Sequence, residues 1–201
     1  MADQNKSSSQ LHKLVIVGDG ASGKTCLLIR RAVDKFPEDY VPTVFEQHVY
    51  KENINGQTIQ LSAFDTGGGE DYHVLRPLCY PETDVFCLCF DVAWQTSFEN
   101  IKSAWIEELS HHCPDVPVLL VGCKIDLRTN EEKIKEMKEK NLQFITEKQG
   151  HEMSAEIGAA KYVECSALTG QGVDHVFQNL AELARKYFIE TKNKKKKCVL
   201  I

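Results

Sequence analysis

The sequence predicts an α/β domain built on a mostly parallel sheet with helices on both faces. Short β-branched apolar runs alternate with longer helical patterns along the 201 residues. The runs are continuously apolar, as expected of strands covered on both sides by helices. One antiparallel hairpin interrupts the alternation.

The first strand is read in "LVIVG" (14–18), followed by the helical pattern "GKTCLLIRRAV" (23–33). The hairpin comes next. "VFEQHVYKENI" and "QTIQLSAF" flank Asn55-Gly56, a dipeptide favoured where both turn residues need positive φ, so these two strands pair antiparallel at an edge. "DVFCLCFDV" (84–92) then feeds the helix "TSFENIKSAWIEELSHH" (96–112), "VPVLLVGC" (116–123) gives the fifth strand, and "KYVECSA" (161–167) leads into "VDHVFQNLAELARKYF" (173–188). That makes six strands, one of them antiparallel. The segment "EEKIKEMKEKN" (131–141) carries Glu131/Lys135 and Glu136/Lys140 four apart but offers only Ile134 and Met137 for burial, so it predicts an exposed helical excursion.

Bulk composition narrows the function classes. The chain carries 24 basic and 29 acidic residues, net −5, yet Lys192, Lys194, Lys195, Lys196 and Lys197 crowd the last ten residues. Setting these five aside takes the body from −5 to −10. An acidic body argues against nucleic acid as a partner, and the basic tail suits an anionic surface. The opening "MADQNKSSSQ" has no apolar core and no run approaches a membrane span, so neither signal peptide nor transmembrane helix is predicted. Cys87, Cys89, Cys123 and Cys165 lie in apolar strand runs and read as small buried side chains, which fits a reducing, cytoplasmic setting.

The chemistry concentrates after the strands. Gly18-Asp19-Gly20-Ala21-Ser22-Gly23-Lys24-Thr25 fits G-x-x-x-x-G-K-[ST] between a strand and a helix, the context that motif requires. Its backbone amides and the helix N-terminus suit phosphate oxygens, Lys24 supplies a point charge and Thr25 a hydroxyl for Mg²⁺. Asp65-Thr66-Gly67-Gly68 ends the third strand, where the Asp65 carboxylate can hold Mg²⁺ through a water and the Gly68 amide can sense a terminal phosphate. The fifth strand ends in Cys123-Lys124-Ile125-Asp126. Asp126 can accept from both N1–H and the exocyclic amine of guanine, whereas adenine presents an unprotonated N1. Lys124 can lay its stem along the base, and Ser166-Ala167-Leu168 offers amides for the guanine carbonyl.

With these motifs in place the chain resembles a Rho/Rac-type small GTPase of the Ras superfamily over residues 11–201. The marks are "GDGASGKTCLL", "FPEDYVPTVFE", "GEDY", "SFENI", "HHCP", "ECSALT" and the excursion at 131–141, which matches the Rho helical insert. The resemblance implies a P-loop G domain over 11–190 with an insert helix at about 129–142, a flexible extension at 1–10 and a tail at 191–201. It implies that Asp19, Gly20, Ala21, Ser22, Gly23, Lys24, Thr25 and Cys26 bind GTP or GDP, together with Asp65, Gly68, Cys123, Lys124, Asp126, Leu127, Ser166, Ala167 and Leu168. By the same resemblance Phe36 should pack edge-on to guanine, Tyr40 should fold over the phosphates, and Thr43 should join Thr25 and Asp65 in holding Mg²⁺. Catalysis falls to Lys24, Thr43 and the residue at 69. Tyr40, Val41, Pro42, Thr43, Val44, Phe45 and Glu46, with Tyr72, Leu75, Arg76 and Leu78, form the surface for effectors, exchange factors, activating proteins and a dissociation inhibitor. A monomer is implied, signalling to actin and membrane traffic.

The chain also departs from that family. The usual switch sequence Asp-Thr-Ala-Gly-Gln-Glu reads Asp-Thr-Gly-Gly-Gly-Glu here, so Gly69 stands where a glutamine orients the attacking water. Hydrolysis is therefore expected to be slow, because positioning and electrostatics supply most of the catalysis. Gly20 leaves room for an activator's arginine. Cys123 replaces the usual Asn or Thr, Ser22 takes a place often held by cysteine, and His73-Val74 replaces Asp-Arg. A normally cycling hydrolase stays open, as, more remotely, does a P-loop ATPase or kinase. The chain ends Cys198-Val199-Leu200-Ile201, a C-a-a-X box behind lysines 192–197, which implies a prenyl group on Cys198 and anchorage at a cytoplasmic leaflet.

Overall fold

The computed structural model describes residues 10–37 and 45–198, with the side chains at 45, 70 and 194–198 left aside. Six strands form one sheet: β1 (Leu11–Val17), β2 (Phe45–Ile54), β3 (Gln57–Thr66), β4 (Val85–Asp91), β5 (Val118–Cys123) and β6 (Lys161–Cys165). Their order is β2-β3-β1-β4-β5-β6, parallel except for β2, which runs antiparallel to β3 as the Asn55-Gly56 turn predicts. Both turn residues take positive φ, 51° and 77°.

Period-two geometry explains the two cores. In β1, Leu14 and Ile16 face one side and Val15 and Val17 the other, all at most 1% exposed. The first side packs on α1 (Lys24–Val33) and α6 (Val173–Cys198) through Leu27, Leu28 and Phe177. The second packs on a helical arm made of α2 (Gln95–Asn100), a π-helical turn (Ile101–Trp105) and α3 (Ile106–His112), through Phe98, Ile101 and Trp105. The expected single helix over 96–112 thus contains a turn of wider pitch, with consequences for the site below.

The excursion is α4 (Glu131–Glu139), followed by α5 (Glu147–Glu156). The Asn130 side chain caps α4 by accepting from the Lys133 amide at 2.8 Å, and Met137 is its buried anchor. Lys140 pairs with Glu136 at 2.7 Å as expected, whereas Lys135 turns to Glu139 at 3.9 Å. Helix α6 outruns its 173–188 pattern and continues through the lysines to Cys198. No Gly or Pro interrupts it, and cations near a helix C-terminus are favourable. Among the described residues no helix is long and apolar enough to cross a membrane.

β1 lies between β3 and β4, so the strand order changes direction beside it. Ligands of open α/β sheets bind beyond the carboxyl ends of the strands at such a point. The glycine-rich turn after β1 opens there.

Candidate nucleotide site

A cleft of about 700 Å³ runs along this edge of the sheet. The turn before α1, the Gly67–Gly69 segment and Tyr72 line one end, and Lys124, Asp126, Leu127, Ala167, Leu168 and Phe36 line the other.

At the first end, Gly23 turns the chain into α1 at φ 107°, a conformation that L side chains rarely adopt. Lys24 is 6% exposed, and its Nζ donates to the carbonyls of Gly18 at 2.7 Å and Asp19 at 2.8 Å. Burial pushes the Lys24 pKa below the usual lysine range, against the nearby Cys89, Asp65 and Asp19, which favour the charge. Thr25 Oγ1 donates to Asp65 Oδ2 at 2.6 Å, joining the start of α1 to the end of β3. A hydroxyl and a fully buried carboxylate form a hard-oxygen donor pair, the chemistry Mg²⁺ prefers. These two residues fit that ion.

Gly68 presses directly on the phosphate loop. A Cβ there would stand 2.3 Å from the Gly18 carbonyl oxygen and 2.5 Å from the Gly20 nitrogen, so no side chain fits. A Cβ on Gly20 would meet nothing within 4 Å, so the room expected for an incoming side chain is present. The Asp19 carboxylate faces away from the cleft: Oδ2 accepts from Asn100 Nδ2 at 2.7 Å and Oδ1 from Trp105 Nε1 at 2.6 Å. A π-turn sets residues five apart above one another, which brings both donors to one carboxylate. Sequence reading missed this clamp, because nothing in "ENIKSAW" signals the wider turn.

At the other end, Lys124 is held at φ 63° and pairs through Nζ with Asp91 Oδ2 at 2.7 Å. Asp91, the polar last residue of an otherwise apolar β4, was the available signal for this partner. Asp126 Oδ1 accepts the Ser166 hydroxyl, and that hydroxyl accepts the Thr169 amide at 3.1 Å. The Ser166 amide donates to the Gln171 carbonyl at 2.9 Å, so Ser166 serves the site by orienting Asp126, while Ala167 and Leu168 line the cleft. Cys123 lines the cleft from beneath, 3% exposed, 3.3 Å from where a Gly23 Cβ would stand. Ser22 is fully buried, and Cys26 and Glu46 also border the cavity.

Two residues expected on the partner-facing surface lie elsewhere. Arg76 is 7% exposed. Its guanidinium grips Glu108 (Nε–Oε1 2.9 Å), donates to the Gly67 carbonyl at 3.2 Å and stacks 4.3 Å from the Trp105 ring centroid. Burial alone disfavours the charged Arg76, and the Glu108 carboxylate outweighs it, holding the pKa above the usual value. Tyr72 is half-buried and turned into the cleft against Gly67. Leu75 and Leu78 are exposed at 55% and 74%, as expected, and Val74 joins them at 66%. Tyr40, Val41, Pro42, Thr43 and Val44 lie outside the described residues, as does the Phe45 side chain. Gly69 is exposed, and a Cβ on it would make only ordinary contact with Tyr72, at 3.6 Å.

Comparison with known proteins agrees with this geometry. A sequence model of the Ras family matches residues 13–186. The chain is 45% identical to the GTP-binding protein RHO1 of Saccharomyces cerevisiae over 98% of its own length and 99% of the relative's. It is 48% identical to the GTP-binding protein RHO1 of Candida albicans (94% and 95% covered) and 46% identical to Rho1 of Kluyveromyces lactis (94% of each). The chain belongs to the Ras family of small GTP-binding proteins, and within it to the Rho-type GTPases.

Proposed function

We propose that this Rho-type switch binds GTP or GDP together with Mg²⁺, hydrolyses GTP slowly and persists in the GTP state once loaded. The observation that carries the switch is the closeness of β3's end to the phosphate loop: Asp65 bonds Thr25 at 2.6 Å, and Gly68 leaves no space for a Cβ against Gly18. A terminal phosphate arriving there has to engage both segments, which makes the Gly68 segment responsive to nucleotide state. Mg²⁺, when held by Thr25, Asp65 and Thr43, would neutralise phosphate charge.

Gly69 supports slow turnover, since a residue with no side chain orients no water. The open space at Gly20 favours a second reading, a conventionally cycling enzyme rescued by an activator's arginine. Asp126 supports guanine over adenine and so weighs against an ATPase or kinase. The C-terminal Cys198-Val199-Leu200-Ile201 and the preceding lysines support prenylation and attachment to an anionic cytoplasmic leaflet, from which the switch would signal to the actin cytoskeleton through effector proteins.

Competitive displacement of a fluorescent GDP analogue tests the ligand assignment. GTP and GDP should displace it at least about a hundredfold better than ATP, given two charged hydrogen bonds at roughly 1.5–3 kcal/mol each. Chelation of Mg²⁺ should speed nucleotide release. ATP competing on equal terms would overturn the assignment.

A further inference from the structure

Tyr72, expected on the partner-facing surface, lines the nucleotide cleft instead. Its ring lies over Gly67: a Cβ at 67 would come within 2.6 Å of Cδ2 and 2.9 Å of Cγ, closer than real Cβ atoms approach any neighbour. Alanine at 67 would therefore force the ring to shift from its seat. On its other side Gly67 is fixed, because its carbonyl accepts from Arg76, itself anchored on Glu108. The ring's Cδ2–Cε2 edge also covers the position a Gly69 side chain would start from, at 3.6–3.8 Å. The backbone holds the arrangement, as the Tyr72 amide donates to the Gly69 carbonyl at 3.1 Å across a single 3₁₀ turn. Tyr72 and the three glycines line the same cleft as Gly20, Lys24 and Thr25.

We infer that Tyr72 is a nucleotide-state-selective wall of the site: its ring, seated on Gly67 beside Gly68, retards escape of a guanine nucleoside triphosphate more than of the diphosphate. The inference rests on the guanine-nucleotide switch proposed above. Gly68 touches the phosphate loop, so the ring seated on the neighbouring Gly67 sits at the end where the two nucleotides differ in charge and length. An aromatic ring at that end excludes water and closes the side of the cleft that two missing side chains would otherwise leave open. Gly67 is required sterically by the ring, whereas Gly69 is not. The two glycines therefore have separable roles, one in seating Tyr72 and the other in slow hydrolysis.

The test is dissociation of mant-GppNHp and of mant-GDP from the full chain, comparing wild type with Tyr72→Ala, Gly67→Ala and the double variant. Each single substitution should speed release of the triphosphate analogue about five- to tenfold, the scale of one lost aromatic packing contact, and release of GDP less than about twofold. The double variant should match the singles, since both remove the same ring from the same seat. Equal acceleration of both nucleotides, no acceleration, or multiplying effects in the double variant would overturn the inference. Melting curves accompany the set, and if Gly67→Ala does not fold, the triphosphate-to-diphosphate ratio in Tyr72→Ala decides alone. Wild type failing to bind either guanine nucleotide would instead remove the switch reading, and ordinary binding with a flat ratio would remove only the role of Tyr72.

Discussion

The indole Nε1–H of Trp105 donates to Asp19 at 2.6 Å, and the same ring carries the guanidinium of Arg76 at 4.3 Å on its face. One side chain of the helical arm thereby links two parts of the site: the phosphate loop through Asp19, and the glycine segment through Arg76 and its bond to the Gly67 carbonyl. Trp105→Phe keeps much of the ring and removes the donor. Leaving a buried carboxylate short of a bond costs about 1–3 kcal/mol, so denaturant unfolding should show that loss, together with faster GDP release. Unchanged stability would mean that Asn100 alone satisfies Asp19.

Arg76 and Glu108 predict a pH dependence. Burial works against the Glu108 carboxylate, but the Arg76 guanidinium and the Tyr80 hydroxyl outweigh it and hold its pKa below the ordinary glutamate value of 4.5. A carboxylate depressed in the folded state contributes stability above its unfolded value and loses it as pH falls through the folded one. Stability should therefore decline below about pH 4.5, and Glu108→Gln should flatten that limb in unfolding titrations. At neutral pH, Arg76→Ala should cost about 1–3 kcal/mol, because it leaves the half-buried Glu108 carboxylate with the Tyr80 hydroxyl but without its guanidinium.

Asp126 is held by the Ser166 hydroxyl, whose oxygen also accepts the Thr169 amide. Asp126→Ala should weaken GDP binding by at least about tenfold per charged hydrogen bond lost, read by fluorescence titration. Ser166→Ala should act in the same direction and more weakly, because it frees the carboxylate without deleting it. A larger loss at Ser166 than at Asp126 would reverse their assigned roles.

The sheet, its order-defining hairpin and the phosphate loop were legible because each is written locally. Apolar runs report burial on both faces, Asn55-Gly56 reports its own turn, and the G-x-x-x-x-G-K-T spacing carries its chemistry with it. The partners of the site residues were less legible, since they come from distant elements. Asp19 meets a tryptophan 86 residues away, and Arg76 a glutamate 32 residues away. Arg76 was placed on the partner surface by the family resemblance alone, and a 3₁₀ turn with Pro77 behind it rotates Arg76 inward instead. The π-turn left no pattern, and the run of α6 through its lysines was hidden by a change in composition without a helix breaker.

Slow hydrolysis at Gly69 is the central proposal, and single-turnover hydrolysis of bound GTP tests it directly, with and without a Rho-type activating domain, in wild type and Gly69→Gln. A glutamine fits, since a Cβ at 69 makes only ordinary contact with Tyr72. Wild type should respond weakly to the activator, and the glutamine should restore most of an acceleration that reaches about 10⁵-fold in related systems. Hydrolysis by wild type at the restored rate would contradict the proposal and assign the positioning of water to another residue.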